Sequence, residues 1–142
     1  MAVTTVKLLI NGEWVESSAN QWHEVINPAT QEVLARVPFA THDELNAAVA
    51  AAKAAFKTWR LTPIGARARI FLKLQQLIRE NMADLAATLT SEQGKTLADA
   101  EGDIFRGLEV VEHAANIGTL QMGEFAENVA GEVDTYTLQQ PL

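Results

Sequence analysis

The sequence predicts a mostly α-helical chain of about four helices, with an N-terminal β-hairpin region and a C-terminal edge strand. Three observations predict it. Turn signals punctuate short β-type segments over the first 40 residues, apolar residues recur at helical spacing from about residue 42 to residue 123, and the last dozen residues alternate. With 142 residues the chain is long enough for one domain with a core.

Each element has its own signature. "LLINGEWVE" sets Asn11-Gly12 between apolar residues, the strongest short-range hairpin signal. In "EVINPATQEVLARVPFA", Asn27-Pro28 starts a turn and Val33, Leu34, Ala35 and Val37 suit an extended segment. Pro38 is expected to limit that strand's use in a sheet interior. Thr41 and Glu44 form a capping box for a helix over 42 to about 59, with Leu45, Val49, Ala52, Phe56 and Trp59 as its stripe. Thr62 is expected to cap a second helix with Pro63 at its first position, burying Ile70, Phe71, Leu74, Leu77 and Ile78. A third runs from about Met82 to Gln93, with Leu85, Ala86 and Leu89 inward, and Gly94 suits its left-handed stop. A fourth starts at Thr96, with Asp99 as capping partner. Its stripe of Ile104, Leu108, Val111, Ala115, Gly118 and Met122 predicts one helix to about residue 123. "GEVDTYTLQQPL", residues 131–142, alternates like an edge strand.

Composition removes several functions. A formal net charge of −7 leaves no electrostatic footprint for nucleic acid or anionic lipid. The absence of cysteine excludes disulfides, thiolate metal sites and a cysteine nucleophile within these residues. The opening "MAVTTVKLLI" is too short to read as a signal peptide, and no run is apolar enough to span a membrane, so cytoplasm (or an organelle matrix) is the expected location.

Gly94-Lys95-Thr96 spells the end of a phosphate-binding loop. Leu89 stands where that motif needs its first glycine, and a helix rather than a buried strand precedes it. A helix stop followed by a helix start explains Gly94 and Thr96, and leaves Lys95 with no further role. His23, His42 and His113 are far apart and lack thiol partners, so no metal site is expected. There is no G-x-S-x-G elbow, and Gly102, Gly107, Gly118 and Gly123 do not make G-x-G-x-x-G. The residues by themselves support a soluble, mostly helical domain and no catalytic residue.

Taken in order, "INGEWV", "NPATQEVLARVP", "AVAAAKAAFKTW" and "ARARIFLKLQQLIRENMADLAATLTSEQGKTLADAEGDI" resemble the amino-terminal part of the aldehyde dehydrogenase superfamily. The likeness runs from about Leu9 to Leu142. "EQGKTLADAEGDI" resembles the family's E-x-G-K segment, and "GDIFRGLEVVEHAANI" resembles the CoA-acylating methylmalonate- and malonate-semialdehyde dehydrogenases. The resemblance implies an α/β parent fold. Residues 1–142 would be the amino-terminal part of its coenzyme-binding domain, with 131–142 entering oligomerisation strands and the catalytic domain absent. It implies NAD-dependent oxidation of a semialdehyde through a thioester that CoA accepts, after loss of the carboxylate, as propionyl-CoA or acetyl-CoA. Such enzymes serve valine, pyrimidine or inositol breakdown. The chain is then expected to be an inactive amino-terminal fragment that binds neither NAD nor CoA well, and whose parent enzyme is a homo-oligomer.

The resemblance singles out Arg106 as the substrate-binding residue, expected to hold the semialdehyde's carboxylate. A planar guanidinium suits that task because it can grip a carboxylate bidentately. Arg106 shares a helix face with Asp103 and Val110, roughly opposite Ile104, and Gly107 beside it leaves room. The plainer alternative is a solvated helix arginine paired with Asp103 or Glu109. Trp14, Trp22 and Trp59 read as packing residues, Glu92 and Lys95 as capping or packing residues, and Tyr136 with the tail as a pairing edge. Two other readings stay open: a fragment of another aldehyde dehydrogenase, such as a succinate-semialdehyde enzyme, or a stand-alone helical interaction protein with exposed apolar faces.

Overall fold

Asn11 and Gly12 both take positive φ (54° and 80°), and that two-residue turn joins β2 (Leu8–Ile10) to β3 (Glu13–Val15). The ladder pairs Leu8 with Val15 and Ile10 with Glu13, as expected for a primed turn. The computed structural model describes residues 3–140. They cluster into two units: residues up to Thr62 with Asn81–Ile104, and Pro63–Glu80 with the residues from Phe105 on.

In the first unit, β1 (Thr4–Thr5), β4 (Trp22–Ile26) and β5 (Val33–Pro38) form one sheet in the order β1-β5-β4. The Asn27-Pro28 turn is closed by Asn27 Oδ1, which accepts from the Ala29 amide at 2.9 Å, and by the Gln31 amide, which donates to the Asn27 carbonyl at 2.8 Å. Pro38 corrects an expectation, because it lies in the central strand and is buried. It sits at the strand's end, opposite Trp22, whereas β1 pairs with β5 only at Ala35 and Arg36. No neighbour asks for the missing N–H there.

Helix α1 (His42–Trp59) starts from the predicted capping box. Helix α3 (Met82–Gln93) ends as expected at Gly94, with φ 76° and its amide donating to the Thr90 carbonyl at 2.8 Å. A Cβ on Gly94 would also come within 2.7 Å of Pro28 Cγ. Glycine there serves both a left-handed helix stop and a close approach to the β4–β5 turn.

In the second unit, α2 (Ile64–Glu80) begins one residue later than expected. The Pro63 carbonyl accepts from the Ala66 and Arg67 amides, so Pro63 occupies the capping position instead of Thr62. Helix α4 (Leu97–Ala115) does not run to residue 123. It breaks at Asn116, whose side-chain amide donates to the Glu112 carbonyl at 3.0 Å, and a single turn, α5 (Ile117–Leu120), follows. A short polar side chain offering the backbone an alternative bond is a known helix breaker. The tail forms a hairpin, β6 (Phe125–Ala130) with β7 (Val133–Tyr136), turned at Gly131-Glu132. β7 is the expected strand and β6 is additional. Pro141 and Leu142 lie outside the described residues.

Burial is sparse. Among the described residues the buried side chains are Ala86, Ala100, Leu108 and Ala115, with Pro38. The expected inward faces are not closed within these residues: Ile70, Leu74 and Leu77 of α2 and Leu85 of α3 are exposed, and Leu45 and Val49 of α1 are 56% and 57% exposed. Trp14 is 68% exposed, and Trp59 is exposed too. Trp22 is half-buried and donates its indole N–H to the Ala19 carbonyl at 3.0 Å. Helical periodicity shows which face is apolar; a partner is needed to bury it.

Candidate functional site

The site is built on α4, so its start comes first. Thr96 caps the helix: its Oγ1 accepts from the Asp99 amide at 3.2 Å and donates to Asp99 Oδ2 at 2.8 Å. The preceding residue, Lys95, is not idle. Its Nζ forms an ion pair with Asp103 Oδ2, two turns into the helix. The Lys95 side chain keeps only 26% of its exposure, against 53% for Asp103. Glu92, its companion in the E-x-G-K segment, is exposed.

Arg106 follows Asp103 by one turn of the same helix and is exposed. Neither pairing expected of an ordinary helix arginine forms. Asp103 is engaged by Lys95, and among the described residues Arg106 has no hydrogen bond or ion pair with Asp103, Glu109 or any other group. Its five N–H donors are therefore uncommitted, and they match a carboxylate in shape and charge. Further along α4, Glu112 Oε1 accepts from Gln75 Nε2 and from Arg79 Nη2, each at 2.7 Å. Those two donors, Gln75 first, hold the Glu112 carboxyl below the usual carboxylate range. They tie the C-terminal half of α4 to α2.

In the β4–β5 groove and at the start of α1 the charged groups are already engaged. A groove of about 590 Å³ lies against β4 and β5, lined by residues including Trp22, Glu24, Ile26 and Arg36. Its Glu24 and Arg36 pair with each other at 2.7 Å. His23 packs edge-on to Phe39, and among the described residues no cluster of His, Asp and Glu could hold a metal ion. At the N-terminus of α1, Glu44 Oε2 accepts from the Thr41 amide at 2.8 Å and from Ser17 Oγ at 3.0 Å, and Oε1 accepts from the Ser18 amide at 2.7 Å. Those bonds, the Thr41 amide first, pull the Glu44 carboxyl down to about 2. Among the described residues no helix is long and apolar enough to cross a membrane.

The sequence located Arg106 only through resemblance, and it missed the Lys95–Asp103 pair. Eight residues separate those two, and the helix start lies between them, so no periodic rule links them. The Ser17 and Ser18 contacts to Glu44 were equally hidden, because they join segments distant in the chain.

A family model described as "Aldehyde dehydrogenase family" matches residues 14–142. The chain is 59% identical over 134 residues to an Arabidopsis thaliana protein named "Methylmalonate-semialdehyde dehydrogenase [acylating], mitochondrial", covering 94% of this chain and 22% of that one. It is 50% identical over 141 residues to a Homo sapiens protein named "Methylmalonate-semialdehyde/malonate-semialdehyde dehydrogenase [acylating], mitochondrial", covering 99% and 26%. A solved structure from Sinorhizobium meliloti 1021 is named as a candidate methylmalonate-semialdehyde dehydrogenase and is complexed with NAD. It superimposes with a TM-score of 0.93 at 41% identity, covering 99% of this chain and 29% of that one. The chain thus spans about a quarter of the length of the curated relatives it matches.

Proposed function

Because the chain belongs to the aldehyde dehydrogenase family, we propose that it is the amino-terminal part of an NAD-dependent, CoA-acylating methylmalonate- or malonate-semialdehyde dehydrogenase. The observation that carries the substrate class is Arg106, an exposed guanidinium with no hydrogen bond or ion pair among the described residues. On a semialdehyde bearing a carboxylate, it would bind and orient the charged end while the aldehyde reacts elsewhere. Identities of 50% and more to proteins named as acylating semialdehyde dehydrogenases support the same assignment.

In such an enzyme NAD supplies the hydride acceptor and CoA the acyl acceptor. At the passage from β5 into α1 the residues are not built for a dinucleotide phosphate. The passage from β5 into α1 holds no glycine, and the Glu44 carboxylate already caps the helix N-terminus where a pyrophosphate would sit. The thioester needs a thiolate, and these 142 residues contain no cysteine. The chain alone is therefore proposed to be inactive, and its contribution is carboxylate recognition. The exposed β6–β7 hairpin is proposed as a pairing element in a homo-oligomer, since both its strands are exposed along their length.

The test uses a full-length enzyme carrying residues 1–142. Arg106→Leu is expected to lower kcat/KM for the carboxylated semialdehyde about tenfold to a hundredfold, the worth of a charge-assisted hydrogen bond, with a far smaller loss for propanal. Equal losses for both substrates would remove the assignment.

A further inference from the structure

We propose that Lys95 is a positioning residue whose ion pair with Asp103 keeps Arg106 available to an anionic substrate. The inference rests on Arg106 as the carboxylate-binding residue. Two carboxylates lie one helical turn from Arg106: Asp103 before it and Glu109 after it. An acid placed N-terminal to a base is the favourable order on a helix, so Asp103 is the stronger competitor for the guanidinium. Asp103 is the one engaged, by the Lys95 ammonium.

The local geometry explains why that engagement is dependable. Lys95 follows Gly94, whose left-handed backbone, at a place where a Cβ would meet the Pro28 ring, sets the direction in which the chain enters α4. About three-quarters of the Lys95 side chain is covered, with 26% left exposed, so its ammonium has few other directions to take. Lys95 and Asp103 together carry no net charge, which leaves Glu109 as the remaining carboxylate within one turn of Arg106. Without the ammonium, Asp103 becomes a free anion one turn away. It would then both compete for the guanidinium and repel the substrate carboxylate.

The experiment compares Lys95→Met, Lys95→Arg, Arg106→Leu and the double variant Lys95→Met/Asp103→Asn in a full-length enzyme carrying residues 1–142. KM and kcat are measured for methylmalonate semialdehyde and for propanal. Lys95→Met is expected to raise KM for the carboxylated substrate about threefold to tenfold, with a much smaller change for propanal. Restoring charge balance in the double variant is expected to return KM to within about twofold of the parent, as is Lys95→Arg, which keeps the pair. A Lys95→Met defect equal for both substrates, or one that Asp103→Asn does not relieve, would overturn the proposal in favour of a purely structural lysine. The two readings separate cleanly. If Arg106→Leu discriminates between the substrates and Lys95→Met does not, only the Lys95 proposal falls. If Arg106→Leu fails to discriminate, the carboxylate assignment falls and takes this proposal with it.

Discussion

At the start of α1, Thr41 and Glu44 bond each other reciprocally, and Glu44 also accepts from Ser17 and Ser18. At the start of α4, Thr96 and Asp99 use the same spacing of threonine and acid, yet both of their bonds stay within the first turn. One methylene separates the two acids. The glutamate is long enough to reach back to the cap amide and the β3–β4 connection, and the aspartate closes on the threonine hydroxyl. As a result α1 is tied to the segment before it through its cap. The tie at the start of α4 comes instead from Lys95, outside the cap, and it points toward the turn that carries Arg106.

Three perturbations sharpen that contrast. The largest effect is expected at the entry to α4. Gly94→Ala forces a side chain into the left-handed region and against Pro28, and should destabilise the chain by about 2 kcal/mol in urea or thermal unfolding. A loss below a few tenths would show that the β4–β5 turn yields freely. Next come the caps. Thr41→Ala and Thr96→Ala should each cost about 1 kcal/mol. Only the first should also raise hydrogen exchange at Ser18, because only the α1 cap shares its acid with that amide. Equal exchange at Ser18 in both variants would contradict the contrast.

The smallest effect is pH dependence. The folded Glu44 carboxyl lies at about 2, below its ordinary 4.5. Its contribution is therefore complete above about pH 4.5 and is lost as pH falls toward 2. In that window the Ser18 amide should lose protection in the parent chain, and Glu44→Gln should flatten the pH profile there. An unchanged profile in Glu44→Gln would assign the acid sensitivity to another carboxylate.

Legibility followed range. The Asn11-Gly12 turn, the Thr41–Glu44 box, the α3 limits and the Gly94 stop are decided by neighbours within a few residues, and each was read from those residues. The end of α4 was misread because an apolar stripe continues past Asn116, while that one side chain diverts the backbone. β6 was missed because Phe125–Ala130 shows no polar–apolar alternation for a period-two pattern to find. Arg106 could be named through a resemblance, but that it stays unpaired among the described residues could not, since this depends on what Asp103 does.

The sequence by itself determined the Asn11-Gly12 turn, the start of α1, the limits of α3 and the absence of cysteine, and by resemblance it pointed to the family. Apart from the family resemblance, those features arise from backbone dihedral preferences, short-range hydrogen bonds and composition, all of which act over a few residues or none. Only the tertiary structure decided which apolar faces stay open, that Pro38 closes a central strand, and that Lys95 rather than Arg106 holds Asp103. Each of these depends on which segments meet in space. Charge pairing and burial belong to that meeting, and no residue carries them alone.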